Sequence, residues 1–238
     1  MRTLTSSLTV GLLTSALAFA AGCGQDDALD LSDVPIATED EKADIFFPGG
    51  SKYTWVRPSS TQIQCVRAPC PNAILNDVNL GQSQLSYGYD WRALKLSPSD
   101  QADLELKLGK TLLFGRYATA RMSGESVQIY QVTRANPRVS EQSIDSVETD
   151  RYFSLKLTNP SCQTPPCGYT ALLMNVQRTE QWSDINLDRL GLPQNARQQL
   201  ISELQKGTAY VSTQNPSVMP ATVTEAFRPY NAAPLPKD

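Results

Sequence analysis

Cys65-Val66-Arg67-Ala68-Pro69-Cys70 and Cys162-Gln163-Thr164-Pro165-Pro166-Cys167 are one proline-braced C-x4-C clip written twice, 97 residues apart. Two short motifs at such a distance point to an internal repeat, and the flanks extend it. Tyr53-Thr-Trp-Val-Arg57 precedes the first clip as Tyr152-Phe-Ser-Leu-Lys156 precedes the second. Ala73-Ile-Leu-Asn-Asp-Val78-Asn79 follows the one, and Thr170-Ala-Leu-Leu-Met-Asn-Val176-Gln177 the other. Farther on, Asp90-Trp91-Arg-Ala-Leu94-Lys-Leu96 answers Asn186-Leu187-Asp-Arg-Leu190-Gly-Leu192. The offset stays near that of the clips, so only small insertions separate the copies.

Each copy reads through the same elements. Residues 53–57 and 152–157 are strand-like, rich in aromatic and apolar residues, and residues 73–79 and 170–177 give second strands. A helix follows. In the first copy Ser97 is the N-cap, Pro98 takes the first turn and Asp100 sits three residues after the cap. Leu104 and Leu108 share one face, and Gly109 ends the helix. In the second copy Pro193 starts the helix, Ala196, Leu200 and Leu204 keep the i, i+4 stripe, and Gly207 ends it. Residues 111–119 and 208–213 read as third strands, and 127–134 and 222–228 as fourth strands. The expected unit is β-β-α-β-β in an α+β fold, with antiparallel strands covered on one face by a helix. The boundaries run 51–136 for the first unit, 137–150 for a polar connector, 151–231 for the second unit and 232–238 for a tail. Units this small bury little surface alone. Whether they form one body or two stays open.

The N-terminus is separate. Met1-Arg2 gives a positive start, and the uncharged run from Leu8 to Ala21 is too short for a permanent membrane span. Residues 1–22 are expected to be a signal peptide. The run closes as Phe19-Ala20-Ala21-Gly22-Cys23, which resembles the lipobox of bacterial lipoproteins and implies acylation of Cys23. From Gly24 to Gly50 there are eight acids and one base, Lys42. With few large apolar residues, residues 23–50 are expected to form a disordered acidic tether. As free coil it would reach about 30 Å. Without Arg2 and the tether, the body carries 19 bases and 16 acids.

Setting Cys23 aside leaves four cysteines, Cys65, Cys70, Cys162 and Cys167, in two pairs of equal spacing. Exported chains oxidise such pairs. Closing so short a loop stabilises by about 2 kcal/mol, while pairing across the copies would give about 4.7 kcal/mol. Local pairing is favoured because the spacing recurs, and cross-pairing is the alternative. A four-thiolate zinc site or a redox pair would use C-x2-C, which is absent. No metal or cofactor is expected.

The chain contains no histidine, which removes Ser-His-Asp triads, Cys-His nucleophiles and imidazole metal sites. Leu108-Gly109-Lys110-Thr111 lacks the first glycine of a phosphate loop. Carboxylates remain: Asp145, Glu148 and Asp150 in the connector, Asp100 and Asp103 at a helix start. Their polar settings suit solubility and the helix dipole. Tyr87-Gly88-Tyr89-Asp90-Trp91 is the densest aromatic patch. Tyr87, Tyr89 and Trp91 are therefore candidate binding residues, as is Arg67 on the first clip. No basic cluster argues for nucleic acid.

These residues together resemble an uncharacterised domain family of Gram-negative bacterial lipoproteins. The resemblance runs through Tyr53-Thr-Trp-Val-Arg57, Cys65, Pro69-Cys70, Val78-Asn79, Asp90-Trp91 and Pro166-Cys167-Gly168-Tyr169. It implies location and repeat architecture but supplies no reaction. The expected function is a non-enzymatic, lipid-anchored binding or envelope-associated module, held at the outer rather than the inner membrane. An extracytoplasmic protein or glycan is its expected partner. The alternatives are an inhibitor presenting a clipped loop to a protease and, more distantly, a carboxylate-based hydrolase.

Overall fold

The computed structural model describes residues 29–36, 53–61, 68–139, 150–159, 161–162, 167–176 and 178–236. The signal, Cys23, Cys65, Arg67, Asp145 and Glu148 lie outside the described residues. Among the described residues the fold is mixed α+β, with two α-helices and mostly antiparallel sheet.

Two antiparallel meanders carry the core. In one, β1 (Thr54–Ser60) pairs with β2 (Ala73–Asp77), which pairs with β3 (Gln82–Ser86). In the other, β7 (Arg151–Leu157) pairs with β8 (Tyr169–Leu173), which pairs with β9 (Arg178–Trp182). Side chains alternate along each strand, so Ala73 and Leu75 turn inward in one half and Tyr169, Ala171 and Leu173 in the other. Val56 stands opposite Asp77, and Phe153 opposite Leu173. Trp55 is thus the ladder counterpart of Tyr152. The match of Tyr53 with Tyr152 read from sequence is two residues out of register, a slip that keeps the same face.

The third strands, β3 and β9, correct the expected β-β-α-β-β order. Gln82-Ser83-Gln84-Leu85-Ser86 and Arg178-Thr179-Glu180-Gln181-Trp182 each bury only their last residue, so hydrophobic alternation does not mark them.

Each third strand then changes partner. β4 (Tyr89–Asp90) pairs parallel with β6 (Glu125–Pro137), and β10 (Ile185–Asn186) pairs parallel with β12 (Ala221–Thr222). β5 (Thr111–Met122) lies between β1 and β6. β11 (Tyr210–Thr213) lies between β7 and β13 (Glu225–Phe227). Tyr130 N donates to Gly88 O at 3.0 Å and Val223 N to Asn186 O at 2.9 Å. In each half the chain just after the third strand thus returns beside a late strand, β6 or β12, and curls the strands into a small barrel-like ring.

A helix joins the third and fourth strands of each barrel. α1 (Pro98–Leu106) starts where the Ser97 hydroxyl accepts from Asp100 N at 3.2 Å. Its Leu104 is fully buried, as are Ala196, Leu200 and Leu204 of α2 (Gln194–Gln205). Gly207, at φ +70°, ends α2 in the left-handed conformation that glycine adopts freely. Gly109 has no such role: α1 stops at Leu106, and Gly109 lies in a following 3-10 turn, Leu108–Lys110.

The halves pack as one body. Tyr53, Trp55, Leu112 and Phe114 of the first are buried with Tyr152, Met174, Tyr210 and Phe227 of the second. Two asparagines join them reciprocally. Asn79 Nδ2 donates to Tyr152 O and Met174 O, both at 2.8 Å, and its Oδ1 accepts from Tyr152 N at 2.9 Å. Asn175 Nδ2 donates to Trp55 O at 2.8 Å and Val78 O at 3.0 Å, and its Oδ1 accepts from Trp55 N at 2.9 Å. Both sit at positive φ, 65° and 61°, which asparagine tolerates better than most residues. The end of the expected second unit also crosses over, with Tyr230 N donating to Ala135 O at 2.9 Å.

Part of the expected tether belongs to this body. Residues 29–36 lie along the β5–β6 hairpin, where Val34 is 7% exposed and packs with Ala120, Met122, Val127 and Ile129. Leu29, Leu31 and Val34 give this piece of an acidic stretch an apolar side to bury.

Candidate functional site

A cleft of about 1100 Å³ lies where the two halves meet. One wall is the outer face of the first meander. Arg57 stands opposite Asn76 in the ladder, and Asn76 opposite Ser83, so outward positions of three strands align there. Asn76 Nδ2 donates to Arg57 O and to Ser59 Oγ, both at 3.1 Å, which stiffens this polar surface. The facing wall comes from the start of the second half, with Asp150, Arg151, Tyr152 and Arg178.

Beneath the lining side chains of Arg57 and Tyr152 lies a buried charge cluster. Glu225, 1% exposed, receives Arg57 through two hydrogen bonds, Nη1 to Oε2 at 2.8 Å and Nη2 to Oε1 at 3.1 Å. Arg138 Nη1 adds a third at 2.9 Å, and Arg57 Nη1 also reaches the Tyr152 hydroxyl at 2.6 Å. A forked guanidinium on a carboxylate is among the stronger pairings available to side chains. Burial lowers the affinity of the Arg57 guanidinium for its proton, but Tyr152 and Glu225 outweigh that and hold it above its ordinary value.

Asp150 sits beside this cluster, 8% exposed. Its Oδ2 accepts from Thr224 Oγ1 at 2.9 Å and Ser212 Oγ at 3.3 Å. Its Oδ1 is buried with no hydrogen-bond partner among the described residues. Burial pushes the Asp150 carboxyl above the usual carboxylate range; the Thr224 hydroxyl opposes this, and neighbouring Glu225 adds to it. Arg151 and Arg178 line the rim, 51% and 70% exposed, each 4.0 Å from Glu180. Surface pairs that loose contribute little, so both guanidinium groups stay accessible to an incoming anion.

Asp77 lines the same cleft by position, but its side chain belongs to the barrel interior. It is 8% exposed, and its Oδ1 accepts from the Tyr117 hydroxyl at 3.5 Å. Burial raises its pKa, with the Tyr117 hydrogen bond opposing. Asp77 and Asp150 are thus both perturbed, yet each is held by different neighbours. Asp100 accepts from the Ser97 hydroxyl at 2.7 Å and Asp103 from Lys107 Nζ at 2.8 Å, the helix-start and i, i+4 roles that their positions suggest.

Of the sequence-derived binding candidates, Tyr87, Tyr89 and Trp91 do not line the cleft, and Arg67 is outside the described residues. Trp91 is 5% exposed, with Nε1 donating to Glu105 Oε1 at 3.1 Å, so its ring offers no open face. Tyr89 is half-buried against it, ring centroids 5.3 Å apart. Tyr87 packs toward residues 29–34. The aromatic patch is packing between strand and helix. Cys162 and Cys167 are bonded to each other, and Cys70 is disulfide-bonded as well. Of Arg57, Asp150 and Glu225, the sequence marks only Asp150 as a candidate carboxylate, and it is buried rather than in the solvated setting expected of it; Arg57 and Glu225 escape because they come from distant stretches. One signal was present: Val132-Thr133-Arg134-Ala135 recurs as Val223-Thr224-Glu225-Ala226, which marks the arginine-to-glutamate change.

No protein-family model, curated protein or solved structure matches this chain. No described helix is long and apolar enough to cross a membrane.

Proposed function

We propose that the chain is an exported, lipid-anchored and non-enzymatic binding module of the cell envelope, built from two homologous units. It belongs with the clip-bearing lipoproteins of Gram-negative bacteria that its motifs resemble, held at the outer membrane through Cys23. The observation that carries the binding reading is the cleft between the halves. It has a stiff polar wall, a buried charge cluster beneath it and two accessible arginines at its rim. The oxidised Cys162–Cys167 clip supports export, since structural disulfides persist outside the reducing cytoplasm. The duplicated-unit reading is supported by the matched ladders and by the exchange of equivalent hydrogen bonds through Asn79 and Asn175. Small closed barrels of five strands, the OB-fold among them, take ligands on their second and third strands and adjoining loops. The cleft covers that surface of the first half, although a fold by itself names no ligand.

The partner that suits the rim is an extracytoplasmic protein or glycan carrying carboxylate or phosphate groups. Titration of the full chain with acidic peptides and uronate oligosaccharides tests this. Arg151→Ala with Arg178→Ala should weaken binding about tenfold or more and flatten its salt dependence. Equal affinity in the wild type and the double variant would remove the cleft from consideration.

A further inference from the structure

We infer that residues 29–36 are a strap that holds the lipidated N-terminus at the tip of the β5–β6 hairpin. That end of the first barrel then lies against the bilayer, and the cleft opens away from it. The inference rests on the lipid-anchor reading proposed above.

The strap has a built receptor. Arg92 is clamped by Asp90, with Nε to Oδ1 and Nη2 to Oδ2 both at 2.9 Å. Held so, it donates to two strap carbonyls, Leu31 O at 3.0 Å and Val34 O at 2.7 Å. Gln131 Nε2 bonds Asp90 Oδ2 at 3.0 Å and reaches a third, Pro35 O, at 2.6 Å. Asp30 N donates to Arg121 O at 2.9 Å beside the hairpin tip. Gly88 completes the seat: a Cβ there would stand 2.2 Å from Leu29 Cδ1. Half-buried Arg92 and buried Gln131, both held by buried Asp90, thus satisfy strap carbonyls that otherwise face water.

The consequence is a short leash. Six peptide steps separate Cys23 from Leu29, and fully extended they span at most about 22 Å. The hairpin turns at Ser123 and Gly124, at φ 51° and +81°, next to Arg121 and the strap's first residues. From there β5 runs back to Thr111, roughly 35 Å at about 3.3 Å per residue, and ends near Gly109 on the cleft. Acyl chains on Cys23 therefore set the tip on the lipid surface and leave the mouth of the cleft clear of it.

The test uses the lipidated full chain in phosphatidylcholine vesicles with a headgroup-labelled acceptor lipid and a donor dye on Ser123→Cys. Val34→Asp, which puts a charge into the strap's apolar seat, should lower energy transfer roughly twofold, because a coil several times longer then separates body and lipid. Eight Gly/Ser residues inserted between Asp27 and Ala28 leave the strap untouched and keep the fold intact. With the strap docked, they lengthen the mean reach by about half, and with it undocked by about a tenth. A clear fall in transfer on insertion supports the strap; transfer unchanged by either variant overturns it. Intact mass of the same sample separates the two readings. Unacylated Cys23 sinks the anchor and the strap's role together, whereas acylated Cys23 with unresponsive transfer sinks the strap alone.

Discussion

Inside the first barrel Asp77 faces the hydroxyl of Tyr117; at the matching ladder position inside the second stands Leu173, packed with Trp182. The contrast continues around the ring. Tyr89 and Tyr130, paired where the first barrel closes, are answered by Ile185 and Ala221. One barrel-like scaffold thus holds a polar interior in the first half and a dry one in the second. A buried polar group is tolerated where neighbours bond it, and the first half supplies tyrosines for that purpose: Tyr130 donates to Thr54 O at 2.6 Å. The second half invests its charge elsewhere. At the position that Arg134 holds in the first barrel it places Glu225, which gathers Arg57 and Arg138 beneath the cleft.

The largest expected effect tests that exchange of sign. Glu225→Ala leaves two guanidinium groups without their buried counter-charge, and urea unfolding should show a loss of about 3–5 kcal/mol. A loss below about 1 kcal/mol would mean that the cluster is solvated and open to the cleft.

The asparagine clasp offers the next test, because the two sides are geometrically equal. Asn79→Gly and Asn175→Gly keep the positive φ accessible and delete the three hydrogen bonds each side chain makes. Each should cost about 2–4 kcal/mol, by an equal amount on the two sides, and unfolding should remain a single transition. Two separated transitions in a variant would show that the halves can fold apart once the clasp is gone.

Opening the second clip with Cys162→Ser and Cys167→Ser should cost about 2 kcal/mol, the chain-entropy value for a loop of this size. A markedly larger loss would make the clip part of the second core rather than a local staple.

The smallest effect is pH-dependent and addresses the two interiors directly. The folded pKa of Asp77 is raised, chiefly by burial, so between the unfolded and folded values the native state holds more protons. Wild-type stability therefore falls as pH rises through that window. Asp77→Asn should raise the melting temperature at neutral pH by about 2–4 °C, equivalent to roughly 1 kcal/mol, and leave it unchanged near pH 3. Asp150 adds a slope of the same sign, so the variant should flatten the pH profile only in part.

Much of the fold is legible in the order of residues. The Ser97-Pro98-Asp100 start of α1, the Ala196-Leu200-Leu204 stripe of α2 and the apolar alternation of β1, β2, β7 and β8 are local patterns. Their physics acts between residues close along the chain. The third strands are not legible, because Gln82-Ser83-Gln84 and Arg178-Thr179-Glu180 become strands through ladders offered by β2 and β8. Trp91 and Tyr89 look like a ligand platform until the helix that covers them is in place. The strap likewise reads as acidic coil, since its burial depends on a groove made by β5 and β6.

By itself the sequence determined the clip spacing, the start of α1, the buried stripe of α2 and the absence of imidazole chemistry. Each follows from composition or from spacing shorter than a turn or a strand. Only the tertiary structure decided that the halves share one core and that Asn79 and Asn175 exchange partners across it. It also decided that Arg57 and Asp150 line one cleft, with Glu225, 168 residues from Arg57, paired beneath it. Those pairings depend on which surfaces meet when the barrels close, and no local pattern records that meeting.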